Sequence, residues 1–259
     1  MCLKEVPNLK IKIKGYSDII MRLNKFLARS GVASRRKADE LIKMATTTVN
    51  GEIILDPAFD INLNDKIRYD GKLLSIDHIT TILMNKPKGV ITSVGDPKGR
   101  KTVIDYISNK QRIVPVGRLD KNSTGLLILT NDGDLHYHLT HPRNKIIRVY
   151  DVELESLINS KQIKRISKGI DIGYGELGKV KVLKQKVIKG RNQARLSLRQ
   201  GKNREIRRIF NKLKIKLFKL HRISFGEFQI GDLKEGQIRV LNHKEISSIS
   251  SRLKQEKRF

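Results

Sequence analysis

Cysteine is almost absent from the 259-residue chain. Cys2 stands alone, so no intramolecular disulfide can form, and a reducing compartment, the cytoplasm, is the expected address. Long apolar runs are missing too. No stretch approaches the roughly 18–20 residues that span a bilayer, and the opening MCLKEVPNLKIKIKGYSD lacks the apolar segment of a secretory signal, so no membrane partner is expected. Acids are scarce: 26 Asp and Glu face 54 Lys and Arg, a formal charge of +28. Such an excess is the electrostatic footprint of a polyanionic partner, nucleic acid first. A Lys-rich coding bias would also raise the charge, but it would not cluster it.

Several chemistries lack their parts. There is no GxxxxGK[ST] loop for nucleotide phosphates, no GxSxG elbow, no Gly-rich dinucleotide fingerprint and no reactive cysteine with a partner base. The stretch LHYHLTHP holds His136, His138 and His141, but no HExxH pattern or cysteine cluster accompanies it, so a helix start that packs locally or meets RNA is favoured over a metal site. No cofactor and no metal are expected. A carboxylate is the remaining candidate for chemistry.

The charge is clustered. Residues 22–43 carry seven basic side chains (Arg22, Lys25, Arg29, Arg35, Arg36, Lys37, Lys43) against Asp39 and Glu40. Leu23, Phe26 and Leu27 fall at i, i+3, i+4, Gly31 stops that helix, and Ser34 caps a second with Ala38, Leu41 and Ile42 on one face. TTTVNGEIILDP then supplies a β-rich run broken by Asn50-Gly51, a strong hairpin signal. A solvated helical pair would also satisfy the charge pattern. The order of the elements favours more: two small helices and a tight hairpin, with FLARSGVASRRKADELI across the turn, resemble the alpha-L RNA-binding module of a small-subunit ribosomal protein. That resemblance implies that Arg35, Arg36 and Lys37 face RNA phosphates. The chain departs from the module in reading MATTTVNG where a Gly-Arg often precedes the hairpin.

The remaining chain mixes strands, turns and a few helices in no regular βαβ order, which predicts an α+β domain with a mainly antiparallel sheet. The expected organisation is a basic extension over 1–20, an S4-like domain over 21–70, a linker over 71–80, a catalytic domain over 81–245 and a basic tail over 246–259. Leu126 to Leu129 read as a buried strand closed by the turn Asn131-Asp132-Gly133, and Asp120 precedes it on an irregular segment between Gly117 and Gly125. A loop acid that bonds its own backbone or pairs with Arg118 is the plain alternative. In VYDVELE, Tyr150, Val152 and Leu154 alternate onto one face. RQGKNREIRRIFNKLKIKLFKLHR, residues 199–222, holds ten Lys or Arg against Glu205. There Arg204, Arg207 and Arg208 stand at i, i+3, i+4 and share a helix flank, while Ile206, Ile209, Phe210 and Leu213 form the apolar stripe. Most of these cations suit a phosphate backbone, and one could hold an acid ionised in a water-poor site.

Taken together, NKPKG, VGRLDKNSTGLLILTNDG, RVYDV and GKNREIRRIF, in that order behind the alpha-L module, resemble the ribosomal RNA pseudouridine synthases of type A (small ribosomal subunit) and type B (large ribosomal subunit) over about residues 21–243. The resemblance implies a catalytic aspartate at Asp120, a tyrosine against the target base at Tyr150, and a basic partner of the aspartate at Arg207. NREIRR is more similar to type B, which implies 23S RNA rather than 16S. Arg118, Lys202, Arg204 and Arg208 are expected to meet the RNA, and so is Lys86 in NKPKG, unless it supports a turn near the site. The chain is expected to act as a monomer. A ribosome-assembly RNA binder without turnover is the alternative, and its mark would be loss of the acid or its basic partner.

Overall fold

The computed structural model describes residues 20–249, apart from 63, 109, 110 and 243; the expected extension over 1–20 and the end of the tail lie almost wholly outside them. The chain divides into two compact units, residues 1–78 and 79–259.

In the first unit the short strand β1 (Met21–Arg22) leads into α1 (Leu23–Arg29) and α2 (Arg35–Lys43). Ser34 caps α2 by accepting the Lys37 N–H, and Leu23, Phe26, Leu27, Ala38 and Ile42 meet in one buried cluster. Strands β2 (Thr47–Val49) and β3 (Glu52–Ile53) form the hairpin announced by Asn50-Gly51, whose φ values of 53° and 98° make the tight turn. β4 (Asp60–Ile61) pairs with β1, while β5 (Ile67–Tyr69) and β6 (Lys72–Leu73) extend the hairpin sheet. The segment 71–80 is therefore not all linker: it opens with β6, turned back onto β5 at Asp70-Gly71.

The second unit is built on one mixed sheet. Its strands are β7 (Thr81–Lys86), β8 (Val114–Val116), β9 (Thr124–Thr130), β10 (Arg148–Leu154), the small hairpin β11 (Ile170–Asp171) and β12 (Leu177–Gly178), then β13 (Lys181–Ile188), β14 (Arg191–Leu198), β15 (Leu217–Phe225), β16 (Phe228–Gln229) and β17 (Ile238–Val240). Its longer helices are α3 (Gly133–Thr140), α4 (Ser160–Lys168) and α5 (Glu205–Lys212). The main sheet runs β13-β14-β10-β15-β9-β7-β17, with β8 on β9 and β16 on β15. Its pairings are antiparallel except β15 with β9, which are parallel across His221↔Thr124 and Arg222↔Gly125. This is the expected α+β architecture.

The unbroken apolar run in β9 has a physical reason. Leu127 and Leu129 enter one buried cluster and Leu126 and Ile128 a second, so both faces of the strand are covered and no polar alternation is allowed. Each such side chain contributes about 1.5–3 kcal/mol by leaving water. β10 keeps its alternation, with Tyr150, Val152 and Leu154 buried, and α5 lays Ile206, Ile209 and Phe210 on the same cluster. The expected turn at Asn131-Asp132-Gly133 serves as the start of α3, where Asp132 caps by accepting the N–H groups of Asp134 and Leu135. The expected basic tail begins too early: residues 244–249 are helical, and Ile246 and Ile249 pack against the second cluster.

Candidate active site

The segment between β8 and β9 carries Asp120 and is tied down on both sides. Thr92 Oγ1 donates to the Leu119 carbonyl at 2.8 Å and accepts the Leu119 N–H at 3.3 Å. The Gly89 N–H donates to the Lys121 carbonyl, and the Ser123 N–H closes a turn on the Asp120 carbonyl at 2.9 Å. Beneath this turn lies Lys86, the last residue of β7, with no exposed surface. Its ammonium donates to the carbonyls of Pro87 at 2.9 Å, Ser123 at 2.9 Å and Lys121 at 3.4 Å. Burial pushes the Lys86 pKa down to about 8, against the opposing pull of Asp120 and Glu235. The result is an irregular loop with little freedom, which is what a positioned carboxylate needs.

Arg207, on the first turns of α5, reaches that carboxylate. Its Nε donates to Asp120 Oδ2 at 3.2 Å, while Nη2 donates to Ser123 Oγ at 3.0 Å and to the Asn122 carbonyl at 3.4 Å. One planar fork thus fixes the acid and the turn that follows it. Asp120 remains partly open, with 38% of its side chain exposed, so a substrate can reach it. Neighbouring Arg118 is exposed and does not form the ion pair. Asp120, Arg118, Lys121, Tyr150 and Arg207 line one cleft of about 1730 Å3, whose wall also includes Lys179, Lys181, Lys202 and Arg204. A carboxylate in a cationic cleft that an aromatic ring also lines can act on a polyanion that carries a flat base.

Two buried groups of the site are not singled out by the sequence. Glu205, 2% exposed, heads α5 and accepts the backbone N–H groups of Lys179 at 3.1 Å and Lys202 at 2.9 Å, which ties two cleft-lining segments to the helix carrying Arg207. Arg222, also 2% exposed, lies in β15 opposite Tyr150 on one side and Gly125 on the other. Its Nε donates to the Leu126 carbonyl at 2.7 Å, and its guanidinium and that of Arg148 each contact the Phe225 ring, at 4.8 and 4.5 Å. As the tenth cation of a basic run, Arg222 carried no mark of burial. LFKLHRISF puts apolar and polar side chains on both faces, so it offers no signal of that burial.

Two expected RNA contacts are corrected, and so is the placement of a third. Lys86 has no surface to offer, because its ammonium is enclosed by three carbonyls; it supports the turn instead. Arg208 points away from Arg207, to the Ile172 and Gly173 carbonyls and the Glu176 carboxylate. Arg204 does not share their helix flank: it is the residue before α5, at φ 48°, exposed on the cleft wall. The remaining basic candidates of the second unit, Arg118 and Lys202, do line the cleft, and Lys202 Nζ also donates to the Leu177 carbonyl. In the first unit Arg22, Arg35, Arg36 and Lys37 are exposed and Lys25 is half-buried; Arg35 bonds Asn24 Oδ1 and Lys37 pairs with Glu40 at 2.7 Å. The three histidines do not converge. His138 is buried in α3, and His141 ends that helix with its ring 4.7 Å from Tyr137.

Comparison with known proteins places both units in known families. Residues 21–67 match the S4 domain family, and residues 80–212 match the family described as RNA pseudouridylate synthase. The chain is 34% identical over 231 residues to the ribosomal large subunit pseudouridine synthase B of Bacillus subtilis, covering 88% of this chain and 95% of that protein. It is 37% identical over 239 residues to an uncharacterized RNA pseudouridine synthase of Borreliella burgdorferi, covering 90% and 94%. A solved pseudouridylate synthase superposes with a TM-score of 0.61 at 27% identity, over 88% of this chain and 98% of the other. The loop acid, its helix-borne arginine and the RNA-binding module in front of them thus sit in a chain that belongs to the RNA pseudouridylate synthase family.

Proposed function

We propose that this chain isomerises uridine in ribosomal RNA, in the 23S molecule, with Asp120 as the catalytic carboxylate and Arg207 as the cation that holds it. The observation that carries the reading is the 3.2 Å contact between the two in a basic cleft. The name of the Bacillus subtilis relative supports the choice of 23S RNA.

In the reaction the C1′–N1 glycosidic bond breaks, the uracil turns, and C1′ bonds to C5 while the C5 proton is lost and N1 gains one. Nothing is oxidised. Asp120 serves either by attacking C1′ or by removing a ribose proton on the way to a glycal, and the geometry is compatible with both. The target uridine leaves its stack at a cost of a few kcal/mol, which shape and stacking offset. Tyr150, whose backbone is fixed between β14 and β15, lies against that base. Arg118, Lys202 and Arg204 hold the surrounding strand, and the exposed Arg22, Arg35, Arg36 and Lys37 of the first unit hold RNA phosphates without reading sequence. The chain works as a monomer in the cytoplasm. A single-nucleotide map of pseudouridine in ribosomal RNA, with and without the gene product, tests this. Loss of one or a few sites in 23S RNA is expected; a changed 16S site moves the substrate, and an unchanged map overturns the reading.

A further inference from the structure

Tyr174 is the most exposed large apolar side chain of the described residues, at 97%, and it occupies backbone that suits it poorly. It stands with Gly175 at the tip of the β11–β12 hairpin, at φ 57° and 69°, and the Glu176 N–H donates to the Gly173 carbonyl at 3.1 Å to close the turn. Both central residues of such a turn are left-handed, which favours Asn, Asp or Gly and makes a bulky aromatic an outlier. Folding does not compensate the strain here, because the ring leaves almost none of its surface out of water. Strain held in place without a folding gain points to function.

The turn is also held unusually firmly. Arg208 Nε donates to the Ile172 carbonyl at 2.9 Å, Nη2 to the Gly173 carbonyl at 2.7 Å and Nη1 to the Glu176 carboxylate at 2.5 Å. The same guanidinium lies 5.4 Å from the Tyr174 ring centre. Beyond the hairpin the chain runs directly into Lys179 and Lys181, which line the cleft, and the Lys179 N–H is fixed by buried Glu205. An aromatic ring is therefore displayed on a rigid turn, backed by a cation, on the segment that leads into the basic wall of the cleft. Exposed rings in that setting are stacking platforms for unpaired bases, worth about 1–3 kcal/mol per base.

We propose that Tyr174 stacks on an unpaired base of the RNA substrate other than the target uridine, and that Arg208 acts on RNA only through it, as a positioning residue. This rests on the RNA substrate of the functional reading above. The chain contains no tryptophan, so Tyr174→Trp introduces a single reporter that keeps a stacking ring. With transcribed 23S ribosomal RNA, Tyr174→Trp should form pseudouridine at subsaturating RNA as wild type does, and its emission should be quenched as RNA is added. Tyr174→Ala should bind the RNA about 5- to 150-fold more weakly, while Tyr174→Phe stays near wild type. Tyr174→Gly should weaken binding as Ala does yet raise Tm, because it relieves the turn. Arg208→Lys should give a smaller binding loss than Tyr174→Ala, and none in a Tyr174→Ala background. Unchanged emission on saturation, or wild-type affinity of Tyr174→Ala in a wild-type-active assay, overturns the inference alone. Failure of the wild type to modify any ribosomal RNA overturns the functional reading, and this one with it.

Discussion

Arg207 Nε lies 3.2 Å from Asp120 Oδ2, although 87 residues of chain separate them. The adjacent cation, Arg118, is exposed and does not share that bond. A loop acid paired with its sequence neighbour would gain little, since exposed pairs contribute about 0–1 kcal/mol and fix no geometry. A rigid helix presenting a planar fork does fix geometry, because the same guanidinium also holds Ser123 Oγ.

Asp120→Asn keeps the shape of the loop and removes the charge. Pseudouridine formation should fall by ~10^3-fold or more, while the affinity for ribosomal RNA stays within a few-fold because the basic faces are untouched. Retention of wild-type turnover in single-turnover assays would exclude Asp120 as the reacting group.

Arg207→Ala and Arg207→Lys separate charge from fork. Alanine removes the bonds to Asp120, Asn122 and Ser123 together and should lower kcat by ~10^2-fold. Lysine restores a point charge without the planar pair of donors, so its kcat should lie between those of alanine and wild type. Equal kcat for the lysine and wild-type proteins would reduce the role of Arg207 to charge alone.

What the sequence revealed about this site follows from the range of the forces involved. The apolar faces of α1 and α5, the Asn50-Gly51 hairpin and the alternation through Tyr150 are local, set by periods of 3.6 and 2 and by turn chemistry, and they stand where the pattern puts them. Asp120 stood out because other chemistries lacked their residues and because the family motif surrounds it. Pairing of β9 with β15 is long-range, and the pattern of neither strand encodes it. Charge patterns misled for a related reason. Lys86, Arg208 and Arg222 look like solvated cations in the sequence, but carbonyls and a glutamate supplied by distant segments enclose their charged groups. Arg204 left its helical row because the chain enters α5 through a left-handed turn.

Gly125 tests the long-range pairing. A Cβ built there would lie 2.3 Å from the Arg222 carbonyl oxygen and 2.5 Å from its nitrogen, both backbone atoms, and Gly125 itself sits at φ 104°. Neither strand can withdraw without breaking the junction that joins the Asp120 loop to β15. Gly125→Ala should cost about 3 kcal/mol or more, read as a large loss in urea midpoint. Serine should behave likewise; a change under about 0.5 kcal/mol would mean that the two strands separate freely.

The pH dependence of stability tests Lys86. Its folded pKa of about 8 lies below the 10.5 of an exposed lysine, so between those values the unfolded chain holds a proton that the folded chain has released. Stability must therefore rise with pH through that window, by up to about 1.4 kcal/mol per pH unit from this group, and be insensitive to it below pH 8, where both states are protonated. Other lysines and tyrosines titrate there as well, so the quantity to measure is the difference in unfolding free energy between wild type and Lys86→Met. In urea melts at pH 7.5, 8.5 and 9.5 that difference should move in favour of wild type as pH increases. Parallel curves would mean that the carbonyls of Pro87, Lys121 and Ser123 keep the ammonium charged despite its burial, which would make the clamp beneath Asp120 independent of pH.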